Sequence, residues 1–435
     1  MISGVVAIVG SPNVGKSTIF NRLVGERRSI VDDQPGITRD RLYAKASWLS
    51  KEFNVIDTGG IELAPHLFQE QIRAQAEIAI EEADVIVFVV DGKVGISADD
   101  RLVAKMLYKA GKPVVLAVNK IDDIEMAVNI HEFYALGLGE PIAVSGVHGI
   151  GIGDMLDRII KLLPDKKQKE YEGQICFCIV GRPNVGKSSL VNAILNQERV
   201  IVSDIAGTTR DAVDTSFRRE QRDYVVIDTA GLRKRGKIFE SVDKYAALRA
   251  LSAIDRSDVV LLVLDANEGI QEQDKHIVGY AIEARKSIII VVNKWDLLKK
   301  DNSTMAKFTQ EIRAGFKFLD YAPIIYISAK EHTRINDVFQ NLDLVYDSFC
   351  LRVQTSTLNE IMQDAQIMNP TPYFNGGRLK IFFANQVSTK PPTFVLFVND
   401  THYMHFSYQR FIENRLRDTF GFEGTPINIV CRERK

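Results

Sequence analysis

The chain is 435 residues long, 46% hydrophobic and 26% charged, with a formal net charge of −1. That length is too great for one ordinary domain, and the balance is that of a soluble globular protein. A near-neutral total excludes a globally basic nucleic-acid binder and leaves only local basic surfaces.

The apolar runs DVIVFVV (84–90) and DVVLLVL (258–264) are strand-sized and well short of a membrane span. The opening MISGVVAIVGSPN lacks the basic start and cleavage site of a signal peptide. Cys176 and Cys178 sit in an apolar run and read as core, while Cys350 and Cys431 show no disulfide framework. The expectation is a reduced, cytoplasmic protein, monomeric and with no membrane contact.

In chain order, GVVAIVG (4–10) reads as a strand, KSTIFNRLV (16–24) as a helix and KEFNVIDT (51–58) as a strand. A helix around 68–82 leads to the strand DVIVFVV, and one around 99–110 to PVVLAVN (113–119). PIAVSG (141–146) closes the series before a helix near 155–163. Apolar strands alternating with helices predict a mostly parallel sheet covered on both faces. The pattern then repeats from ICFCIVG (175–181) to IIYISA (324–329). Gly10 and Gly181, Thr38 and Thr209, and Asp57 and Asp228 are each 171 residues apart. Asp91 and Asp265, and Asn119 and Asn293, are 174 apart, so the second copy gains three residues after Gly231. PDKKQKEYEGQ (164–174) reads as a linker.

Beyond residue 350 the order is a helix over 358–368, strands RLKIFFANQ (378–386) and TFVLFVND (393–400), a helix over 407–421 and the strand PINIVCRER (426–434). The predicted fold is α/β: two tandem Ras-like P-loop domains over 1–163 and 175–349, then an α+β domain over 350–435. GFEG (421–424) lies between the last helix and the last strand and reads as a helix stop with a turn.

GSPNVGKS (10–17) and GRPNVGKS (181–188) both match G-x-x-x-x-G-K-S/T between a strand and a helix. Glycines let successive backbone N–H groups point at phosphate, and the helix N-terminus faces the same anion. Gly10, Asn13, Val14, Gly15, Lys16, Ser17 and Thr18 form this loop in copy one. Gly181, Asn184, Val185, Gly186, Lys187, Ser188 and Ser189 form it in copy two. Lys16 and Lys187 are expected to reach the β and γ phosphates, and Ser17 and Ser188 to bind Mg2+. Asp57 and Asp228 end strands in DTGG and DTAG and are expected to hold the metal, with Gly60 and Gly231 offering N–H to the γ-phosphate. Thr38 and Thr209 are the expected switch ligands to Mg2+, Thr208 being the alternative in copy two.

NKID (119–122) and NKWD (293–296) point to the base. A carboxylate accepts two N–H donors, and guanine offers N1–H and its N2 amino group on one edge. Asp122 and Asp296 are therefore expected to select guanine. Asn119 and Asn293 are expected to reach O6 and N7, and Lys120 and Lys294 to cover the ring. Ser145 with Gly146, and Ser328 with Ala329, sit where a last loop could donate to the base. After DxxG, where Ras-like enzymes place a glutamine, stand Ile61 and Leu232, so hydrolysis must be slow, use another group or need a partner. Arg233, Lys234, Arg235 and Lys237 make the second switch basic, whereas Glu62 is the charged residue in the first.

Two G domains in tandem, each with GxPNVGKS, TRD, DTxG and NKxD, before a small α+β domain, resemble the Der (EngA) family of bacterial double GTPases. The resemblance covers essentially the whole chain. It implies a KH-like C-terminal domain, GTP and GDP as ligands with Mg2+, and action in maturation of the large ribosomal subunit through its rRNA. It also implies stimulation by potassium, through Asn13 and Asn184. A nucleotide-gated binding module with little turnover is the alternative reading.

Overall fold

The computed structural model describes residues 2–25, 43–49, 51–58, 76–77, 79–80, 83–123, 125–164, 173–197, 200–202, 214–229, 243–298, 301 and 303–433. The chain divides into two compact units, one of residues 1–170 with 239–248 and the other of 171–238 with 249–435.

In the first unit, β1 (Ile2–Gly10), β2 (Tyr43–Trp48), β3 (Lys51–Asp57), β4 (Val85–Asp91), β5 (Val114–Asn119) and β6 (Ile142–Ala143) form one sheet in the order β2-β3-β1-β4-β5-β6. All pairings are parallel except β2 with β3. Strand side chains alternate between faces, and here both faces are buried. Val6 and Ile8 of β1 pack with Ile19, Phe20 and Leu23 of helix Lys16–Gly25 and with Met155 and Ile159 of helix Ile152–Leu162. Ala7 and Val9 pack on the opposite face with Val103, Ala104 and Leu107 of helix Ala98–Ala110. Parallel pairing brings functional residues to one edge: Ile8 lies beside Asp57, Gly10 beside Val89, and Asp91 beside Asn119. Most of the helix expected over 68–82 lies outside the described residues.

The second unit repeats the plan. Its strands are β7 (Ile175–Val180), β8 (Val200–Val202), β9 (Thr215–Arg219), β10 (Arg222–Ile227), β11 (Val259–Asp265), β12 (Ser287–Asn293) and β13 (Ile324–Tyr326), ordered β13-β12-β11-β7-β10-β9-β8. Here β9 runs antiparallel to both of its neighbours, β10 and β8, at the sheet margin. Strands β2, β8 and β9, at the margins of the two sheets, are additions to the sequence reading. β2 and β9 mix charged or hydroxyl side chains with apolar ones and β8 is only the three residues VIV, so none has the long apolar run that marks a central strand.

The same unit carries the C-terminal elements: helix Thr355–Met368, a small hairpin of β14 (Tyr373–Phe374) and β15 (Gly377–Arg378), then β16 (Ile381–Ser388), β17 (Thr393–Val398), helix Phe406–Phe420 and β18 (Asn428–Glu433). β16 pairs antiparallel and β18 parallel with β17. Both helices cover one face of this sheet, where Leu358, Met362, Phe394, Leu396, Ile412 and Leu416 make the core. Helix Phe406–Phe420 stops at Gly421, and Phe422 turns into the core with no exposed surface.

That turn, GFEG, seats the domain on the second α/β sheet. Gly424 N–H donates to Tyr321 O and Gly424 O accepts from Ile288 N–H, both at 2.8 Å. The Thr425 hydroxyl lies 3.2 Å from that of Ser287, and the Arg417 guanidinium sits 4.1 Å over the Tyr321 ring. Gly424 has φ +66°, and a Cβ there would stand 2.4 Å from Val345 Cγ2. Gly424→Val is therefore expected to cost about 2–3 kcal/mol through backbone strain and overlap. Calorimetric unfolding of the whole chain checks this, and an unshifted transition would contradict the tight seat.

Candidate nucleotide-binding sites

Each phosphate loop runs from the end of a central strand to the start of a helix. Gly10 and Gly181 must be bare because a Cβ would come 2.2 Å from Val89 O and 2.4 Å from Val263 O, on the neighbouring strand. Gly15 (φ +96°) and Gly186 (φ +97°) take conformations that side chains disfavour, and a Cβ at either would meet Nδ2 of Asn119 or Asn293 within 2.3 Å. Asn13 and Asn184 share a left-handed backbone, with φ of 63° and 65°.

Lys16 arcs back over its loop and donates to Gly10 O (2.8 Å) and Ser11 O (2.9 Å). Lys187 does the same to Gly181 O and Arg182 O, both at 2.6 Å. Lys16 is 7% exposed. Desolvation there pushes its pKa down, against the pull of the Asp57 carboxylate. An ammonium in such a place is poised to gain from an anion in the loop.

Ser17 Oγ donates to Asp57 Oδ2 at 2.8 Å. A hydroxyl and a carboxylate side by side are hard oxygen donors of the kind Mg2+ takes, so these residues fit the ion. In copy two, Asp228 has φ +60° and its N–H donates to Asp214 Oδ1 (3.0 Å), so the two carboxylates are mounted differently. Thr38, Gly60, Ile61, Thr209, Gly231, Leu232 and the basic residues 233–237 lie outside the described residues.

The base motifs are braced identically. Asn119 Nδ2 donates to Val14 O (2.7 Å), and its Oδ1 accepts from Gly146 N–H (3.0 Å). Asn293 donates to Val185 O (2.9 Å) and accepts from Ala329 N–H (3.0 Å). These amides thus lock the phosphate loop to the last loop. One N–H and one acceptor position of each amide are engaged by the protein, and the second N–H and second lone pair are left over from these bonds. The Gly146 and Ala329 N–H groups expected to meet the base are likewise spent on these asparagines.

Lys120 (φ 69°) and Lys294 (φ 62°) also share a left-handed backbone. Their ammonium groups meet Asp91 Oδ2 at 2.5 Å and Asp265 Oδ2 at 2.6 Å. Asp91 and Asp265 are therefore positioning residues, each steering the lysine of its base motif. Sequence reasoning gave them no role, although their 174-residue spacing marked them. Asp122 accepts from Lys93 Nζ on Oδ2 and from Ser145 Oγ on Oδ1, both at 2.8 Å. The Lys93 ammonium, and then the Ser145 hydroxyl, hold this carboxyl below the usual range. One cavity is lined by Gly15, Thr18, Lys120, Asp122, Ser145 and Lys93, and another by Asn184, Gly186, Lys187, Ser188, Ser189 and Lys294. The first cavity is thus lined by residues of both the phosphate loop and the base motif, and the second by the phosphate loop with Lys294 of the base motif.

One further brace distinguishes the copies. Asp100 and Asp274, both buried, cap the helices that follow β4 and β11. Asp100 accepts one hydrogen bond from the phosphate loop, from Ser11 Oγ at 2.8 Å. Asp274 faces Arg182 instead, with Nε at 3.0 Å, while the same guanidinium reaches Glu268 at 2.7 Å and Gly269 O at 3.3 Å. Copy two's loop is held by a charged fork, copy one's by a single hydroxyl.

Paired phosphate loops and base motifs on Ras-like sheets define a GTPase with two nucleotide domains in tandem. A family model described as "50S ribosome-binding GTPase" matches residues 5–120 and 176–294. A second, "KH-domain-like of EngA bacterial GTPase enzymes, C-terminal", matches 352–432. The chain is 60% identical over 435 residues to GTPase Der of Macrococcus caseolyticus and 62% over 436 to that of Geobacillus kaustophilus, covering 100% of both chains in each case. The FeoB G-domain structure from Methanococcus jannaschii matches 38% of this chain and 99% of its own, at 26% identity and a TM-score of 0.29. The chain belongs to the Der (EngA) family. It binds guanine nucleotide and hydrolyses GTP to GDP and phosphate. Among the described residues no helix is long and apolar enough to cross a membrane.

Proposed function

We propose that this GTPase is a switch in maturation of the large ribosomal subunit, in which nucleotide state sets the arrangement of three domains and so governs docking on ribosomal RNA. The domains are residues 1–163, 175–349 and 350–435, with 164–174 as linker, in a cytoplasmic monomer. The observation that supports the reading is the duplication of the phosphate loop and base motif, with the same lysine arc and asparagine brace in both copies. The family description, which names the 50S ribosome, supports the large subunit as partner.

Ser17 with Asp57 and Ser188 with Asp228 would hold Mg2+, completed by Thr38 and Thr209. When bound, the ion neutralises charge between phosphates. Lys16 and Lys187 bind and orient the phosphates, and Asp122 and Asp296 select guanine. Asn13 and Asn184 would place potassium beside the phosphates, offsetting charge in the manner of an arginine side chain. Ile61 and Leu232 can orient no water, which favours slow turnover. The basic segment at 233–237 would report the γ-phosphate to RNA or to the C-terminal domain.

Sedimentation with purified large subunits tests the reading. Retention is expected with a non-hydrolysable GTP analogue and not with GDP, and charge reversal at Arg233, Lys234, Arg235 and Lys237 should weaken it several-fold. Equal retention in both nucleotides, or none in either, would remove the switch.

A further inference from the structure

Lys93 and Asn267 occupy matching places 174 residues apart, each two residues beyond the aspartate that steers the base-motif lysine. Their backbone N–H groups both donate to that aspartate at 2.9 Å, so the two side chains leave the same turn. In copy one the turn aims an ammonium at Asp122: Lys93 Nζ lies 2.8 Å from Oδ2, with side-chain exposures of 47% and 33%. Ser145 holds Oδ1, so both carboxylate oxygens are engaged. The asparagine of copy two carries no charge and can make no such ion pair with Asp296.

We propose that Lys93 lowers the nucleotide affinity of site one by competing with the guanine edge for Asp122. The inference rests on the reading of Asp122 as the guanine-selecting carboxylate. Guanine presents N1–H and its amino group together and needs both oxygens. Seating the base therefore requires the Lys93 ammonium to leave Oδ2 and the Ser145 hydroxyl to leave or share Oδ1. Lys93 is half-exposed on a flexible stem and can swing into water. An ion pair so open to solvent is weak and screened by salt. Its drag on binding is accordingly modest, and it fades as ionic strength rises. That sign is opposite to the ordinary loss of phosphate affinity with salt, which gives the effect a signature of its own.

The test is titration of ribose-labelled GDP into the full chain carrying Asp296→Asn, in which guanine nucleotide reports on site one. Lys93→Gln is expected to tighten binding about two- to five-fold at low salt, with the gain lost at high salt. Lys93→Asn installs the side chain that copy two carries in the same turn, so it guards against a folding defect, and it should do the same. Lys93→Arg should keep the parent affinity. Unchanged or weaker binding in both neutral variants overturns the proposal. Asp122→Asn in the same background separates the two readings. If it binds labelled GDP undiminished, the base-site reading falls and takes the proposal with it. If it loses GDP while the Lys93 variants bind as before, only the proposal falls.

Discussion

Asp122→Asn is expected to turn site one from guanosine towards xanthosine nucleotides, and Asp296→Asn to do so at site two. The carboxylate accepts from N1–H and from the amino group at C2. An amide in its place keeps one acceptor for N1–H and turns the other position into a donor, facing that amino group donor to donor. Xanthine carries a carbonyl at C2, which such a donor satisfies. Sites built on hydrogen bonds reject a mismatched partner by roughly 10⁴-fold, and half of that in logarithmic terms would still reverse the preference. In copy one the substitution also releases Lys93 from its ion pair, so the loss of guanine there should be somewhat smaller than with Lys93→Gln already in place. Competition between GDP and XDP in each variant measures both effects. A chain that keeps its guanosine preference with both substitutions would show that these aspartates do not read the base.

The second large effect is expected from Lys16→Ala and Lys187→Ala. Each lysine is folded over its loop with its ammonium against the first two carbonyls. Removing it takes away the charge that meets the transferred phosphate, and loss of one such stabilising group costs about 10²–10³ in rate. It also leaves those carbonyls without their donor, so bound nucleotide should be assayed beside turnover. Phosphate release should be compared in potassium and in sodium. If each variant removes part of the turnover, both sites are working engines. If one variant abolishes all turnover while its other site still binds nucleotide, that other site is a sensor. Rates that match the parent in both variants would contradict the assignment of either lysine.

Much of this was legible in the sequence because the phosphate and base motifs are local. A glycine at 15 or 186 and a lysine after it report a backbone shape and a charge that need no distant partner to be recognised. The central strands were legible for a similar reason: Val85–Asp91 and Val259–Asp265 are buried throughout, and a strand covered on both faces is written as an unbroken apolar run. The braces were not legible. Asp91 with Lys120, Asp100 with Ser11 and Lys93 with Asp122 join segments 29 or 89 residues apart, and nothing local says which carboxylate meets which donor. The 174-residue repeat could have singled out Asp91 and Asp265, since both copies place them two residues before the aligned Lys93 and Asn267. The asparagines show the converse. Their place in NKxD was evident, but the neighbours that claim their amides come from two other loops.

The seat of the C-terminal domain carries one more implication. β13 pairs with β12 only from Ile290 to Val292, and the N–H of Ile288, two residues earlier on β12, is taken by Gly424. The turn thus supplies a missing rung at the margin of the second sheet. A chain cut near residue 350 would present that bare margin to solvent, an invitation to pair with other chains. Poor behaviour of such a fragment would then reflect stickiness at Ser287 and Ile288 rather than a lost activity, and shielding that short edge, not restoring the whole domain, is what would cure it.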